Sequence, residues 1–151
     1  MPALTNARAK TTPKRHFRAS PDRPLALLAR CPVHLPTPMS ELADLAQEIG
    51  VASLFAKNEG ARMRLGSFKA LGGAFAVAQM ICEAAGVEDP TAAKNKAATM
   101  TFVTASAGNH GLSVAAGARI FGARAVIILP ATAPAAFAAR IRATGAEVIG
   151  G

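Results

Sequence analysis

From residue 99 onward the chain alternates short β-branched and apolar runs with longer Ala-rich stretches of helical period. Residues 99–104, 123–129 and 147–149 predict strands, and 109–121 and 133–144 predict helices closed by Gly122 and Gly145. Strands that are apolar throughout and alternate with helices indicate an α/β fold, a parallel sheet with helices on both faces. Its crossovers are expected to be right-handed. Upstream, Leu42, Leu45, Ala46 and Ile49 recur at helical spacing between a candidate N-cap, Ser40, and a stop, Gly50. Residues 52–57 predict a strand, 58–66 a polar loop, and 67–85 a helix stopped by Gly86. Residues 88–98 read as a polar insert with one short helix at most. Residues 1–32 carry Pro2, Pro13, Pro21, Pro24 and Pro32 with no sustained period. They read as a basic, mostly irregular leader with a helical turn over 25–30, and 33–151 as the folded part. Because a strand begins at Glu147 and the sequence given ends at Gly151, the pattern is expected to be the N-terminal part of a longer domain.

Composition narrows the class. Hydrophobic residues make up 51% and charged residues 17% of 151, which describes a core-forming chain rather than a disordered one. Thirty-six alanines against seven Phe, no Trp and no Tyr favour close-packed helices and lack the aromatic faces on which single-stranded nucleic acid stacks. No apolar run reaches the roughly 18–20 residues of a membrane-spanning helix. Cys31 and Cys82 are far apart, without metal spacing, which fits a reducing, cytoplasmic setting and no metal site. Of the formal charge of +8, the first thirty residues contribute +6, so the remainder is nearly neutral. A basic terminus of this kind suits a transit peptide, a nucleic-acid arm or, most simply, a solvated leader.

Two places carry candidate chemistry. Lys69 falls at a helix start, in Gly66-Ser67-Phe68-Lys69-Ala70-Leu71-Gly72-Gly73, where the macrodipole disfavours a cation. Such a lysine is either an ordinary solvated one or an amine kept there to react as a nucleophile. The glycine pair cuts helix propensity and suggests close approach by a backbone or a ligand. The second place is Thr104-Ala105-Ser106-Ala107-Gly108-Asn109-His110-Gly111, a strand end turning into a helix start. It is a capped βα turn at the least. It also lies where open α/β sheets bind ligands, and helix-start N–H groups accept anions. Dinucleotide, P-loop and nucleophile-elbow motifs are absent.

Taken together, Gly66-Ser67-Phe68-Lys69 followed by Ser106-Ala107-Gly108-Asn109-His110-Gly111 resembles the pyridoxal-phosphate (PLP) enzymes of the tryptophan synthase β-subunit type, fold type II. Pro36-Thr37-Pro38 and Ala56-Lys57-Asn58-Glu59 resemble the family's entry segments. The stretch from Glu59 to Ala74, with the insert at 86–98, is most similar to the diaminopropionate ammonia-lyases. The resemblance implies PLP as cofactor and Lys69 as the catalytic residue that binds it and later moves the substrate's Cα proton. It implies Phe68 against the cofactor ring and Asn109 on the ring's phenolic oxygen. Ser106, Ala107, Gly108, Asn109 and His110 would hold the substrate carboxylate. The implied reaction is β-elimination from 2,3-diaminopropionate, giving pyruvate and ammonia, in a cytoplasmic homodimer with a small amino-acid substrate and no nucleic-acid or membrane partner. There are two departures. Ala107 stands where these lyases carry Asp and matches instead the L-threonine and L-serine dehydratases. The family's Gly-rich phosphate loop and its residue facing the pyridine nitrogen come later than residue 151. The alternatives are therefore an L-threonine or L-serine dehydratase, or a non-catalytic remnant of the same fold.

Overall fold

The computed structural model describes residues 20–31 and 33–150. The leader through residue 19, including His16, and the terminal Gly151 lie outside the described residues. Helix α1 (Asp22–Ala29) is longer than the turn expected over 25–30. Strand β1 (Met39–Glu41), helix α2 (Ala43–Ile49) and strand β2 (Phe55–Lys57) follow. After a tight 3-10 turn at Arg62–Arg64 comes the long helix α3 (Lys69–Ala85). The insert holds a 3-10 turn, Pro90–Ala93, and helix α4 (Lys94–Ala97). Then β3 (Thr101–Ala105), α5 (Asn109–Phe121), β4 (Arg124–Leu129), α6 (Ala135–Arg142) and β5 (Glu147–Gly150) complete the chain.

The α/β class and the parallel sheet are both present, but the helices expected on both faces are, among the described residues, found on one. Strands β3, β4 and β5 pair parallel in that order, with Val103 opposite Val126 and Ile127 opposite Val148. Sequential neighbours joined by right-handed crossovers place both connecting helices on the same face. Helix α5 accordingly packs on β3 and β4 and touches α6. Alternation then sorts the strands: Phe102, Ala125, Ile127 and Leu129 point into the core, and Val103, Ile128 and Ile149 point away from it. Among the described residues nothing covers that second face, where Val103 is 61% exposed. Ile81, Ile127 and Ile141 are fully buried, each stabilising the fold by about 1.5–3 kcal/mol through burial.

One expected boundary is corrected. Ser40 does not cap α2; it sits in β1, opposite Ala56 of β2, and α2 is preceded by Leu42 without a side-chain cap. The prolines before it explain the outcome. Pro36 and Pro38 hold the chain extended. The extension continues into an antiparallel ladder, prolonged by Asn58 N–H to Pro38 O (2.9 Å) and Leu42 N–H to Leu54 O (2.8 Å). Backbone pairing outweighed a local cap. At the other end Gly50 closes α2 with φ 72°, as its sequence position indicates.

Helix α1 docks on α3 through buried Leu28, which packs with Met63 and Ala70. Arg23 reaches Glu88 (2.6 Å) and the Gln79 side chain, and Arg30 reaches Asp89 (3.1 Å). Partly exposed pairs like these contribute about 0–1 kcal/mol each, so the apolar contact dominates the docking. Cys82 is buried and donates weakly to Glu88 O (3.5 Å), and burial pushes its thiol up.

Candidate active site

The two chemistry-bearing segments meet because α3 and α5 run side by side in the same direction. Ser113 Oγ of α5 donates to Ala70 O of α3 at 3.2 Å. A Cβ built on Gly73 would fall 2.2 Å from Ser113 Oγ, and one on Gly117 would fall 3.1 Å from Ala74 Cα. Small residues thus let the helix backbones touch, the use to which the Ala/Gly-rich composition is put. Gly73 lies against Ser113, and Gly117 against Ala74 and Val77. Positions rise together along the pair, so both N-termini stand at one end. Lys69 precedes Gly73 by one helical turn, and Asn109 precedes Ser113 by one turn. Each lies on the face of its helix that meets the other.

That end is also the carboxyl end of the sheet. The turn after β3 is tied to β4 by Ser106 N–H to Ile128 O (3.1 Å). Ser106 Oγ accepts from Gly108 N–H (3.3 Å) and Gly111 N–H (3.1 Å), leaving its O–H to donate elsewhere. A Cβ on Gly111 would meet Ile127 Cγ2 at 2.9 Å and Ser106 O at 3.0 Å, so only glycine seats this turn against β4. The first intrahelical bond of α5 runs from Leu112 N–H to Gly108 O. Among the described residues the N–H groups of Asn109 and His110 therefore have no acceptor, and they present the positive end of the helix to solvent. Ala107 and His110 are exposed, and Gly108 and Asn109 half-buried.

Lys69 opens α3 from an exposed position, and its own N–H is held by Ser67 Oγ at 3.2 Å. Among the described residues its amine makes no ion pair. Phe68 beside it is 63% exposed, a large apolar ring with nothing packed over it. The donor set is therefore an exposed amine, an exposed aromatic ring, an amide side chain at Asn109, and two unpaired helix-start N–H groups. It fits an aromatic aldehyde cofactor together with a carboxylate substrate.

Sequence reasoning did not single out the cluster just upstream. Arg62, 6% exposed, donates from Nε to Glu59 Oε2 (2.6 Å) and from one terminal nitrogen to Glu59 Oε1 (2.8 Å). Its remaining donors reach Thr37 Oγ1 and Leu35 O, both at 2.8 Å. Thr37 donates to Glu59 Oε1 at 2.5 Å, and Lys57 Nζ donates to Thr37 O. The Arg62 guanidinium first, and then the Thr37 hydroxyl, lower the Glu59 carboxyl from 4.5 to about 2, while the same ion pair raises Arg62. Immediately after, Met63 (φ 48°) and Arg64 (φ 60°) take left-handed backbone, which costs a non-glycine residue about 1–3 kcal/mol. The spacing Glu59-x-x-Arg62 was the available sequence signal.

A lysine at one helix start, at the same end as the anion-receptive start of a second helix and at the carboxyl edge of a parallel sheet, is an arrangement suited to holding an aldehyde cofactor. The family model described as "Pyridoxal-phosphate dependent enzyme" matches residues 31–150. The chain belongs to that family, whose cofactor is pyridoxal phosphate, and its architecture is fold type II. It is 43% identical over 100 residues to the diaminopropionate ammonia-lyase of Escherichia coli K12, covering 63% of this chain and 25% of that protein. The Salmonella typhimurium diaminopropionate ammonia-lyase is 35% identical over 133 residues, covering 82% of this chain and 33% of that one. The crystal structure of the Escherichia coli enzyme in apo form superposes with a TM-score of 0.77 at 34% identity, covering 86% of this chain and 37% of that one. The chain thus spans about a quarter to a third of the length of the curated relatives it matches.

Proposed function

We propose that this chain carries the lysine-bearing part of a PLP-dependent ammonia-lyase that eliminates the β-amine of 2,3-diaminopropionate. The observation that supports the reading is the close packing of α3 and α5 in the same direction, which puts the helix starts that carry Lys69 and Asn109 at one end of the pair. When bound, the cofactor supplies the electron sink for a negative charge on Cα. Lys69 would hold the cofactor and serve as the base for the Cα proton, with Phe68 available to pack against the ring and the Asn109 amide to donate to its oxygen. The N–H groups of the first turn of α5, the Ser106 hydroxyl and His110 receive the substrate carboxylate, which the helix dipole stabilises. Loss of the β-amine and hydrolysis of what remains give pyruvate and ammonia. The same reading takes the working form to be a cytoplasmic homodimer acting on a small amino acid. Ala107 favours a second reading, an L-threonine or L-serine dehydratase with water as leaving group, because it lacks the carboxylate of the lyases at that position.

Borohydride reduction of the PLP-loaded protein followed by peptide mapping should place the label on Lys69. A label confined to Lys94, Lys96 or Lys57 would refute the assignment. In the full polypeptide Lys69→Ala should abolish turnover. Ammonia release from 2,3-diaminopropionate, set against that from L-threonine and L-serine, separates the two readings.

A further inference from the structure

We propose that Arg62 is a positioning residue that fixes the approach of the chain to Lys69, by locking the loop to the Leu35–Thr37 segment and to the end of β2. The inference rests on the role given to Lys69 above. Two segments converge on one guanidinium: Leu35 O and Thr37 Oγ1 from the extended entry segment, some twenty-five residues away, and both oxygens of Glu59, just beyond the strand end. The planar fork of arginine satisfies all of them at once, which an ammonium cannot do. Among the described residues no side-chain hydrogen bond joins this cluster to Phe68, Lys69 or Asn109, so its action on Lys69 passes through the backbone.

The path is short and fully constrained. Arg62 O accepts from Leu65 N–H at 2.9 Å. The next side chain, Met63, is buried with Leu28 and Ala70, and Ala70 adjoins Lys69. The chain is therefore pinned toward the entry segment at Arg62 and toward α1 and α3 at Met63, and the change of direction between them goes with left-handed backbone at Met63 and Arg64. Leu65 O receives Arg140 of α6 at 3.4 Å, and Gly66 (φ 75°) turns the chain into Ser67. Residues in such conformations persist only where their surroundings over-determine them. Here the polar lock and the Met63 contact provide that determination. A loop released at Arg62 relaxes Met63 and Arg64 toward ordinary backbone and shifts the start of α3.

The test uses Arg62→Lys, which keeps the charge and loses the fork, and Glu59→Gln, which keeps the shape and loses the charge. Three readouts are taken on the full chain: amide hydrogen exchange over residues 63–70, tryptic cleavage after the exposed Arg64 under native conditions, and the ratio of borohydride-trapped PLP on Lys69 to that on Lys94 and Lys96. Both variants should keep wild-type circular dichroism and exchange in β3–β5. They should exchange faster over 63–70 and be cut faster after Arg64. The Lys69 labelling ratio should fall about 10- to 100-fold, the scale of losing a positioned reactant by about an ångström. Unchanged exchange, cleavage and labelling would overturn the inference. So would global loss of structure in both variants, since the cluster would then be a general stability element. If wild-type Lys69 takes no label while the variants still loosen residues 63–70, the lock stands as a loop anchor and the functional reading of Lys69 fails instead.

Discussion

Adjacent glycines in α3 should respond to the same substitution with opposite signs. A methyl at Gly73 would lie 2.2 Å from Ser113 Oγ, 2.7 Å from Ser113 Cβ and 3.1 Å from Val114 N, all inside contact distance. Ser113 is fully buried and its hydroxyl is engaged by Ala70 O, so two responses are open. If Ser113 rotates away, a buried hydroxyl loses its partner, at about 1–3 kcal/mol. If the helices separate, overpacking costs about 1–3 kcal/mol. At Gly72, beyond its chain neighbours and its own helix backbone, no atom lies within 4 Å of the same methyl. Both variants gain about 0.5–1 kcal/mol of helix propensity, which cancels in their difference. Gly72→Ala should therefore be more stable than wild type. Gly73→Ala should fall below Gly72→Ala by roughly 2 kcal/mol, or about 4–8 °C in melting temperature for a chain of this size. Thermal and urea unfolding of the three proteins side by side measures this. Equal stability of the two variants would refute the close α3–α5 contact, and with it the derivation that sets Lys69 beside Asn109. A Ser113→Ala change in the Gly73→Ala background should recover part of the loss, since it removes the nearest atom.

Two further expectations follow from the site. Glu59, held near 2 against an ordinary 4.5, contributes stability that is fully present above pH 4.5 and is lost as the pH falls toward 2. The stability difference between wild type and Glu59→Gln should therefore shrink over that window in acid unfolding, and a constant difference would show that the lock does not depend on the charge. On the proposed reading Lys69 would serve one face of the substrate, while Ala107, with no ionisable group, would supply no base to the other. The complete enzyme should then prefer L- over D-2,3-diaminopropionate by about 10²–10⁴-fold in kcat/KM, and Ala107→Asp should raise the D rate specifically; equal rates for both enantiomers in the wild-type protein would contradict the argument.

The sequence by itself determined the elements whose signals are local. Helix α5 begins at Asn109 and ends at Phe121 as its period and Gly122 indicate, and α3 ends before Gly86 for the same reason. The β-α-β-α-β order from residue 99 was equally legible, because apolar runs alternating with helical stretches indicate a parallel sheet, although the covering of both faces that such runs imply is found on one face only among the described residues. Lys69 and residues 106–110 stood out as out of keeping with bare helix starts, and the structure places both at the starts of packed helices. Tertiary structure decided whatever depends on a partner remote in sequence. Ser40 reads as a cap, yet backbone pairing with Ala56 claims it for a strand. Gly72 and Gly73 are indistinguishable in a propensity table, and only the approach of Ser113 separates them. The Arg62 lock draws on Leu35, Thr37 and Glu59, a convergence that periodicity cannot encode because it follows from where an extended segment and a strand end come to lie. The one-sided covering of the sheet is likewise a matter of strand order: β3-β4-β5 puts both crossover helices on the same face and leaves Val103, Ile128 and Ile149 exposed on the other.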